Sequence, residues 1–321
     1  LKTIIKLFVL LTVFTSLTII GGAYADEFPN KPLRLIIPYP PGGSHSLHAG
    51  VITTVAGQYF GQPMISVIRG GGGGAVAAAE TAAGPADGYN LFMGDPTINS
   101  LRPQVEKLAY KVDDYVPVCR INFSPAVFVA AANAPFDDLK GMIEYARANP
   151  NKLVYSSDNV NGYTYVAFEM LKFRAGVEMK GINFGGGGPA VTQVLGGHTM
   201  AYAGAPSVVG EHILAGKLKG LGVTDNNRWE TLPDVPTCQE AGVDLIYHYW
   251  RGILVKKGTP QDRIQTLSND FEKLVSDKGF LRLIGKINSR VNYLNAEEFE
   301  KVLSREQKDF KELYDELEAK K

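Results

Sequence analysis

Short apolar runs along this chain alternate with stretches in which apolar residues return at helical spacing. Leu33–Pro38 (LRLIIP) predicts a strand, followed by a helix from about Ser46 to Tyr59. Met64–Arg69 predicts a second strand, then a glycine run, an Ala-rich helix over Val76–Ala83, a turn at Asp87-Gly88 and a third strand over Asn90–Gly94. Such alternation with short connections implies a mostly parallel sheet covered by helices on both faces. The rhythm changes over Val116–Ala131, a longer β-rich stretch suited to carrying the chain from one lobe to another. A second alternating unit follows, with helices predicted over Phe136–Ala148, Tyr163–Ala175 and Pro189–Leu195. Its strands are predicted over Lys152–Ser156, Gly181–Phe184, Thr199–Ala203 and Leu218–Val223. Tyr249–Lys256 reads as the return to the first lobe, and Pro260–Ser276 and Asn295–Ala319 read as helices. In the last of these, Phe299, Val302, Leu303, Phe310, Leu313 and Leu317 form one apolar stripe, the mark of a packing element.

The first residues bear on the compartment. Lys2 and Lys6 precede an apolar run from Leu7 to Ile20, and Ala23-Tyr24-Ala25 supplies a small-residue A-x-A site. That order is the signature of a secretory signal peptide, expected to be cleaved after Ala25. The run, about 14 residues, falls short of the roughly 20 that span a bilayer. No cysteine lies near the site to take a lipid, so the expectation is a chain exported to a periplasm. Lobe one is then expected over 26–122 and 256–321, and lobe two over 123–255.

Formal charge balances, with 33 basic and 33 acidic residues, which argues against a nucleic-acid or anionic-membrane surface. Cys119 and Cys238 are the two cysteines. An oxidising compartment would let them pair if their α-carbons come within about 7 Å; two buried free thiols is the plainer reading.

Three loops can carry chemistry: Pro41-Gly42-Gly43-Ser44, the run Gly70–Gly74, and Gly185-Gly186-Gly187-Gly188-Pro189. Each places small residues where a strand ends and a helix begins. A helix N-terminus exposes unpaired N–H groups and partial positive charge, so it holds an anion without a cationic side chain. In open α/β sheets ligands sit at the carboxyl ends of the strands, where these loops lie. Plain tight turns would explain glycine runs too, most readily at Gly70–Gly74.

At this point the chain resembles a known family. FPNKPLRLIIPYPPGGS is similar to the opening of the receptor component of tripartite tricarboxylate transporters. Further matches follow in the family's order: Arg69 with its glycine loop, Ala86-Asp87-Gly88-Tyr89, Tyr110–Val118, Ala146–Pro150, Gly188-Pro189-Ala190, Leu195-Gly196-Gly197, Ala215–Leu218, Leu232–Thr237 with Glu240-Ala241-Gly242, and Gly258-Thr259-Pro260. Each motif is weak alone, but the ordered series is specific.

The resemblance implies a periplasmic binding protein-like α/β fold of type II, with two Rossmann-like lobes joined by a β hinge and the ligand in the interlobe cleft. It implies a receptor without catalysis, cofactor or metal. Such a receptor captures a small organic carboxylate (di- or tricarboxylate or aromatic acid) and delivers it, as a monomer, to integral membrane transporter subunits. The ligand-binding candidates carried over are Gly42, Gly43, Ser44 and His45 in lobe one, and Ser157, Asn159, Gly186 and Gly187 in lobe two. Departures from the family's pattern fall among them. Ser44-His45-Ser46 stands where relatives often have Ser-Thr-Asp, which removes an acid and adds a ring donor. Gly162-Tyr163-Thr164-Tyr165 replaces a Ser-Thr-Pro-His stretch, and Phe184 replaces a tyrosine. These aromatics would suit an aromatic or longer acid at the cleft, or simply pack a core. Trp250 and Arg251, near the return crossing, are further candidates to line the cleft, Arg251 as charge partner.

Other classes fit less well. His45 and His48 lie three apart, but no acid or thiol completes a metal set. Gly42-Gly43-Ser44-His45-Ser46 lacks the final glycine of a nucleophile elbow. The enzyme alternative is an exported nicotinamide-dependent oxidoreductase using the Gly70–Ala75 loop, with Asp95 near the place of a ribose-binding acid.

Overall fold

The structure, a computed structural model, describes residues 28–319, so the signal segment and its cleavage site lie outside the described residues. In chain order the first elements are β1 (Leu33–Ile37), α1 (Ser44–Val55), the short α2 (Gly57–Phe60), β2 (Met64–Ile68), α3 (Ala75–Ala83) and β3 (Asn90–Gly94). Both faces of β1 are covered, which is why LRLII reads as a nearly unbroken apolar run. It pairs in parallel with β2 on one side and β3 on the other. After a π-helical turn at Thr97–Leu101 and the short α4 (Arg102–Val105), the chain enters β4 (Tyr115–Pro125).

Ala126 alone separates β4, in the first sheet, from β5 (Val127–Ala131), in the second. The second unit continues with α5 (Leu139–Ala148), β6 (Val154–Ser157), α6 (Tyr163–Ala175), β7 (Lys180–Asn183), α7 (Gly187–Leu195), β8 (Ala201–Gly204), α8 (Pro206–Leu214) and β9 (Leu218–Val223). The chain then returns in β10 (His248–Lys256), which runs antiparallel between β3 and β4, and closes with α9 (Gln261–Ser276), α10 (Lys278–Lys286) and α11 (Ala296–Ala319). The sheet orders are β2-β1-β3-β10-β4 and β7-β6-β8-β5-β9. β10 lies in the first sheet although His248–Val255 fall upstream of the boundary expected between residues 255 and 256.

The two crossings lie side by side, and one threonine ties them. Buried Thr224 accepts the amide of Ala126 on its hydroxyl at 2.8 Å and donates that hydroxyl to the Tyr247 carbonyl at 2.6 Å. Its backbone joins both segments as well, donating to Ala126 O at 2.9 Å and accepting from Tyr247 N at 3.0 Å. Opposite β10, His248 stands against Pro125. The link between the lobes is therefore a pair of extended segments tied together at Thr224.

Strand alternation on β10 divides labour between its faces. Trp250 packs edge-on to Phe299 of α11, with ring centroids 4.9 Å apart, while Tyr249 and Arg251 face the cleft between the lobes. Phe299 fits because Gly252 has no side chain: a Cβ there would lie 2.3 Å from the Phe299 ring. Buried Phe299 and Leu303 bear out the packing role of the apolar stripe. Cys119 and Cys238 are free thiols in separate cores, and burial pushes the Cys238 thiol up to about 12. Among the described residues no helix is long and apolar enough to cross a membrane.

Candidate functional site

Four strand ends converge between the lobes. β1 delivers Tyr39 and the Gly42-Gly43 loop, β3 delivers Asp95, β6 delivers Asp158, and β8 delivers Ala205. Between them lies a cavity of about 40 Å³ lined by Tyr39, Gly43, Asp158 and Ala205 from these ends, together with Ser44, His45, Tyr163, Thr164, Gly187, Tyr202, Val208, Tyr249 and Arg251.

The lobes meet over glycine. A Cβ on Gly188 would lie 2.2 Å from the Pro41 carbonyl oxygen, and one on Gly186 would lie 2.7 Å from Pro40 Cδ. Only residues without side chains allow the second-lobe loop to seat against Pro40–Gly43 at this range. Gly42, at φ +83°, also needs the left-handed backbone that glycine accepts. Beside this seam the Ser44 and Ser207 hydroxyls stand 3.0 Å apart, bridging the lobes.

Arg251 is the dominant charge of the cavity. It is 1% exposed, and its Nη1 donates to Asn122 Oδ1 and Ser124 Oγ, each at 3.2 Å. Its Nε and Nη2 are buried and have no hydrogen-bond partner. Burial pulls the guanidinium below its usual range, though an arginine remains protonated. Its near neighbours are aromatic, with the guanidinium 5.5 Å from the Tyr249 ring centre. His45, packed edge-on against Tyr39, is kept neutral first by burial and then by the Arg251 charge. Its Nε2 lies 3.4 Å from Asp95 Oδ2 without forming a hydrogen bond, and so remains unpartnered. The buried Tyr163 hydroxyl is unpartnered too.

Two carboxylates share the cleft, in different condition. Asp95 is saturated: Oδ1 accepts from Thr97 N, Thr97 Oγ1 and Ile98 N at 2.9, 2.7 and 2.9 Å, and Oδ2 accepts from Tyr39 OH at 2.8 Å. Asp158 takes Asn159 N, Thr164 N and Ser157 Oγ, at 2.9, 3.2 and 3.4 Å, all on Oδ1. Burial raises its carboxyl to about 6 against those bonds, with the Asp95 charge adding to the rise.

The candidates picked from sequence fall into two groups. Gly43, Ser44, His45 and Gly187 line the cavity; Gly42, Ser157, Asn159 and Gly186 stand behind or beside it. Ser157 is fully buried and donates to the Asn159 carbonyl at 3.2 Å, while Asn159 faces a separate rim cavity of about 460 Å³ with Gly71–Gly73 and Arg102. Tyr163 reaches the cavity. Tyr165, two residues on, is turned roughly 200° around the helix and does not. Phe184 packs against the second lobe's core instead of the cleft.

The dinucleotide pattern is also reassigned. Arg102 Nη1 donates to the Gly72 and Gly73 carbonyls at 2.9 and 2.6 Å, so this loop offers acceptors braced by an arginine where a pyrophosphate needs donors. Asp95 has no oxygen left for a ribose. His48 is spent on Ser44 O and Ser289 Oγ, and among the described residues no group of three or more His, Cys, Asp or Glu is placed to hold a metal. Sequence reasoning passed over Tyr39, Asp158, Tyr202 and Tyr249. For Asp158 a signal was present, since it is the first residue beyond a strand end that faces the cleft.

Comparison with known proteins agrees with this architecture. The family described as "Tripartite tricarboxylate transporter family receptor" matches residues 49–318. Protein BugT of Bordetella pertussis (strain Tohama I) is 30% identical over 261 residues, covering 79% of this chain and 79% of BugT. A solved structure described as a periplasmic transporter is 28% identical, with TM-score 0.85, and covers 90% of this chain and 97% of its own. R. palustris Rpa4515, solved with adipate, shares the fold at TM-score 0.84 and 23% identity, over 89% of this chain and 97% of that one.

The raised Asp158 carboxyl fixes the sign of a pH effect. Because its folded value of about 6 exceeds the ordinary aspartate value of 3.8, the protein loses stability as pH rises through that window. A shift of this size corresponds to roughly 3 kcal/mol. Asp158→Asn, which keeps an Oδ1 acceptor, is expected to gain about 2–3 kcal/mol over the parent at pH 7.5 and little at pH 4. Urea unfolding at both pH values checks this; an equal difference at the two would contradict a charged, buried Asp158.

Proposed function

The chain belongs to the tripartite tricarboxylate transporter receptor family, and from that footing we propose that it is a periplasmic solute receptor whose lobes close on one small organic carboxylate and present the closed form to the membrane subunits of a transporter. The observation that carries this reading is Arg251, a buried cation with two unpartnered N–H groups in the interlobe cavity. Buried polar groups are normally paired, and a buried charge costs several kcal/mol unless an opposite charge meets it. Ser124 and Asn122 offset only part of that cost. A carboxylate accepting from Nε and Nη2 would complete a bidentate pair, the geometry guanidinium matches best.

One further donor supports the same reading: the Tyr163 hydroxyl is buried and unpartnered on the cavity side. Charge-assisted bonds contribute roughly 1.5–3 kcal/mol each, so a few offset the ordering cost and leave micromolar affinity, about −8 kcal/mol. Ligand shifts the open–closed balance only through contacts made in the closed form, and here Ser44, His45 and Arg251 come from one lobe while Gly187 and Tyr163 come from the other.

A thermal-shift and calorimetric screen of C2–C10 carboxylates, aromatic acids included, is expected to find ligands. Arg251→Met should weaken the best of them by at least about 30-fold, because losing one partner of a buried pair costs 2–5 kcal/mol. Binding unchanged in Arg251→Met would remove this reading. A second outcome addresses closure. Gly188→Ala puts a methyl into the Pro41 carbonyl and should reduce affinity more than about tenfold, since each 1.4 kcal/mol lost is a decade, while leaving the melting temperature of the free protein near the parent's. Parental affinity in Gly188→Ala would show that binding does not need this interlobe contact.

A further inference from the structure

We infer that the ligand is bipolar, a short amino acid whose carboxylate meets Arg251 of the first lobe and whose ammonium meets Asp158 of the second. This rests on the carboxylate reading above and narrows it. Arg251 and Asp158 face one cavity from opposite lobes, yet they form no ion pair with each other: Arg251 donates only to Asn122 and Ser124, and Asp158 accepts only from its own loop and the start of α6. Each keeps capacity toward the cavity, Nε and Nη2 on one side and Oδ2 on the other. A ligand with both charges satisfies both lobes at once, and only in the closed form.

The balance of charge points the same way. The cavity is lined by one cation, Arg251, and one carboxylate, Asp158, with His45 neutral and Asp95 set behind Tyr39. A di- or tricarboxylate would add two or three negative charges to a buried site whose lining charges already balance, and close like charges in low dielectric repel strongly. A zwitterion leaves the balance unchanged. The walls also suit a cation, because Tyr163, Tyr202 and Tyr249 present ring surface to the cavity. The cavity, about 40 Å³, is small, which favours a short ligand.

The test is calorimetry on the full chain at pH 7.5 with matched compounds: alanine, β-alanine and 4-aminobutyrate against propionate, butyrate, lactate and succinate. At least one amino acid is expected to bind about tenfold or more tighter than its counterpart without the ammonium, the discrimination typical of one charge-assisted bond. Asp158→Asn should cut that preference to within about threefold, which is under half the energy of such a bond, and Arg251→Met should weaken every acid. Amino-acid affinity of the parent should also rise with pH through about 6 and then level off, because the ammonium favours the ionised Asp158. Tyr39, Tyr155, Tyr163, Tyr202 and Tyr247, which also surround Asp158, are all raised above ordinary phenols and do not titrate there. Asp158→Asn, which leaves Asp95, His45 and Arg251 in place, should lose that slope. Succinate or propionate binding as tightly as any amino acid, or a preference that survives Asp158→Asn, would overturn the bipolar ligand while leaving the carboxylate reading intact. Failure of all seven acids to bind would overturn the bipolar ligand, and failure across the wider C2–C10 screen would overturn the carboxylate reading with it.

Discussion

A guanidinium held out of water without a counter-carboxylate is the constraint around which this molecule is arranged. Neutral partners, Asn122 and Ser124, fix its orientation but leave two donors unspent. A chain with equal numbers of acidic and basic residues has no general attraction for anions, so selectivity must come from where the charge is placed. The placement follows from topology. β10 is the strand that returns from the second lobe, and its alternation turns Arg251 and Tyr249 to the cleft while Trp250 anchors α11. The cationic centre therefore sits four residues from Tyr247, where Thr224 ties the two crossings together.

The glycine loops do a second task besides the one that helix-terminus logic assigns them. Pro40–Gly43 and Gly186–Gly188 also let two backbones touch across the cleft. At α6 the amide of Thr164 is already taken by Asp158, so that helix start offers the ligand a protein carboxylate in place of bare N–H groups. The buried cation of the cavity comes from the first lobe, at Arg251, and its carboxylate from the second, at Asp158.

Much of the fold was legible because buried strands and amphipathic helices leave periodic traces. Asn90–Gly94, Tyr163–Ala175 and Leu218–Val223 coincide with their expected limits, and the β-rich stretch over Val116–Ala131 contains the crossing at Ala126. Helices α8 and α10 went unread, although Pro206 opens the first and Asp277 caps the second by accepting from Phe280 N. The site was legible in part. Loops announce themselves by glycine, so Gly43, Ser44 and Gly187 were found. Tyr39, Asp158, Tyr202 and Tyr249 come from four different segments, and nothing local marks them until the sheets bring their ends together. Tyr165 and Phe184 misled for the converse reason: aromatic identity is visible in sequence, but the direction of a side chain is set by helix phase and by core packing.

The most direct measurement is a crystal structure of the protein with the tightest-binding acid from the screen. The carboxylate should lie between the lobes with its oxygens about 3 Å from Arg251 Nε and Nη2, and with Pro40–Gly43 still seated on Gly186–Gly188. A carboxylate held by loop amides alone, with Arg251 left unpaired, would contradict the central role given to that buried charge.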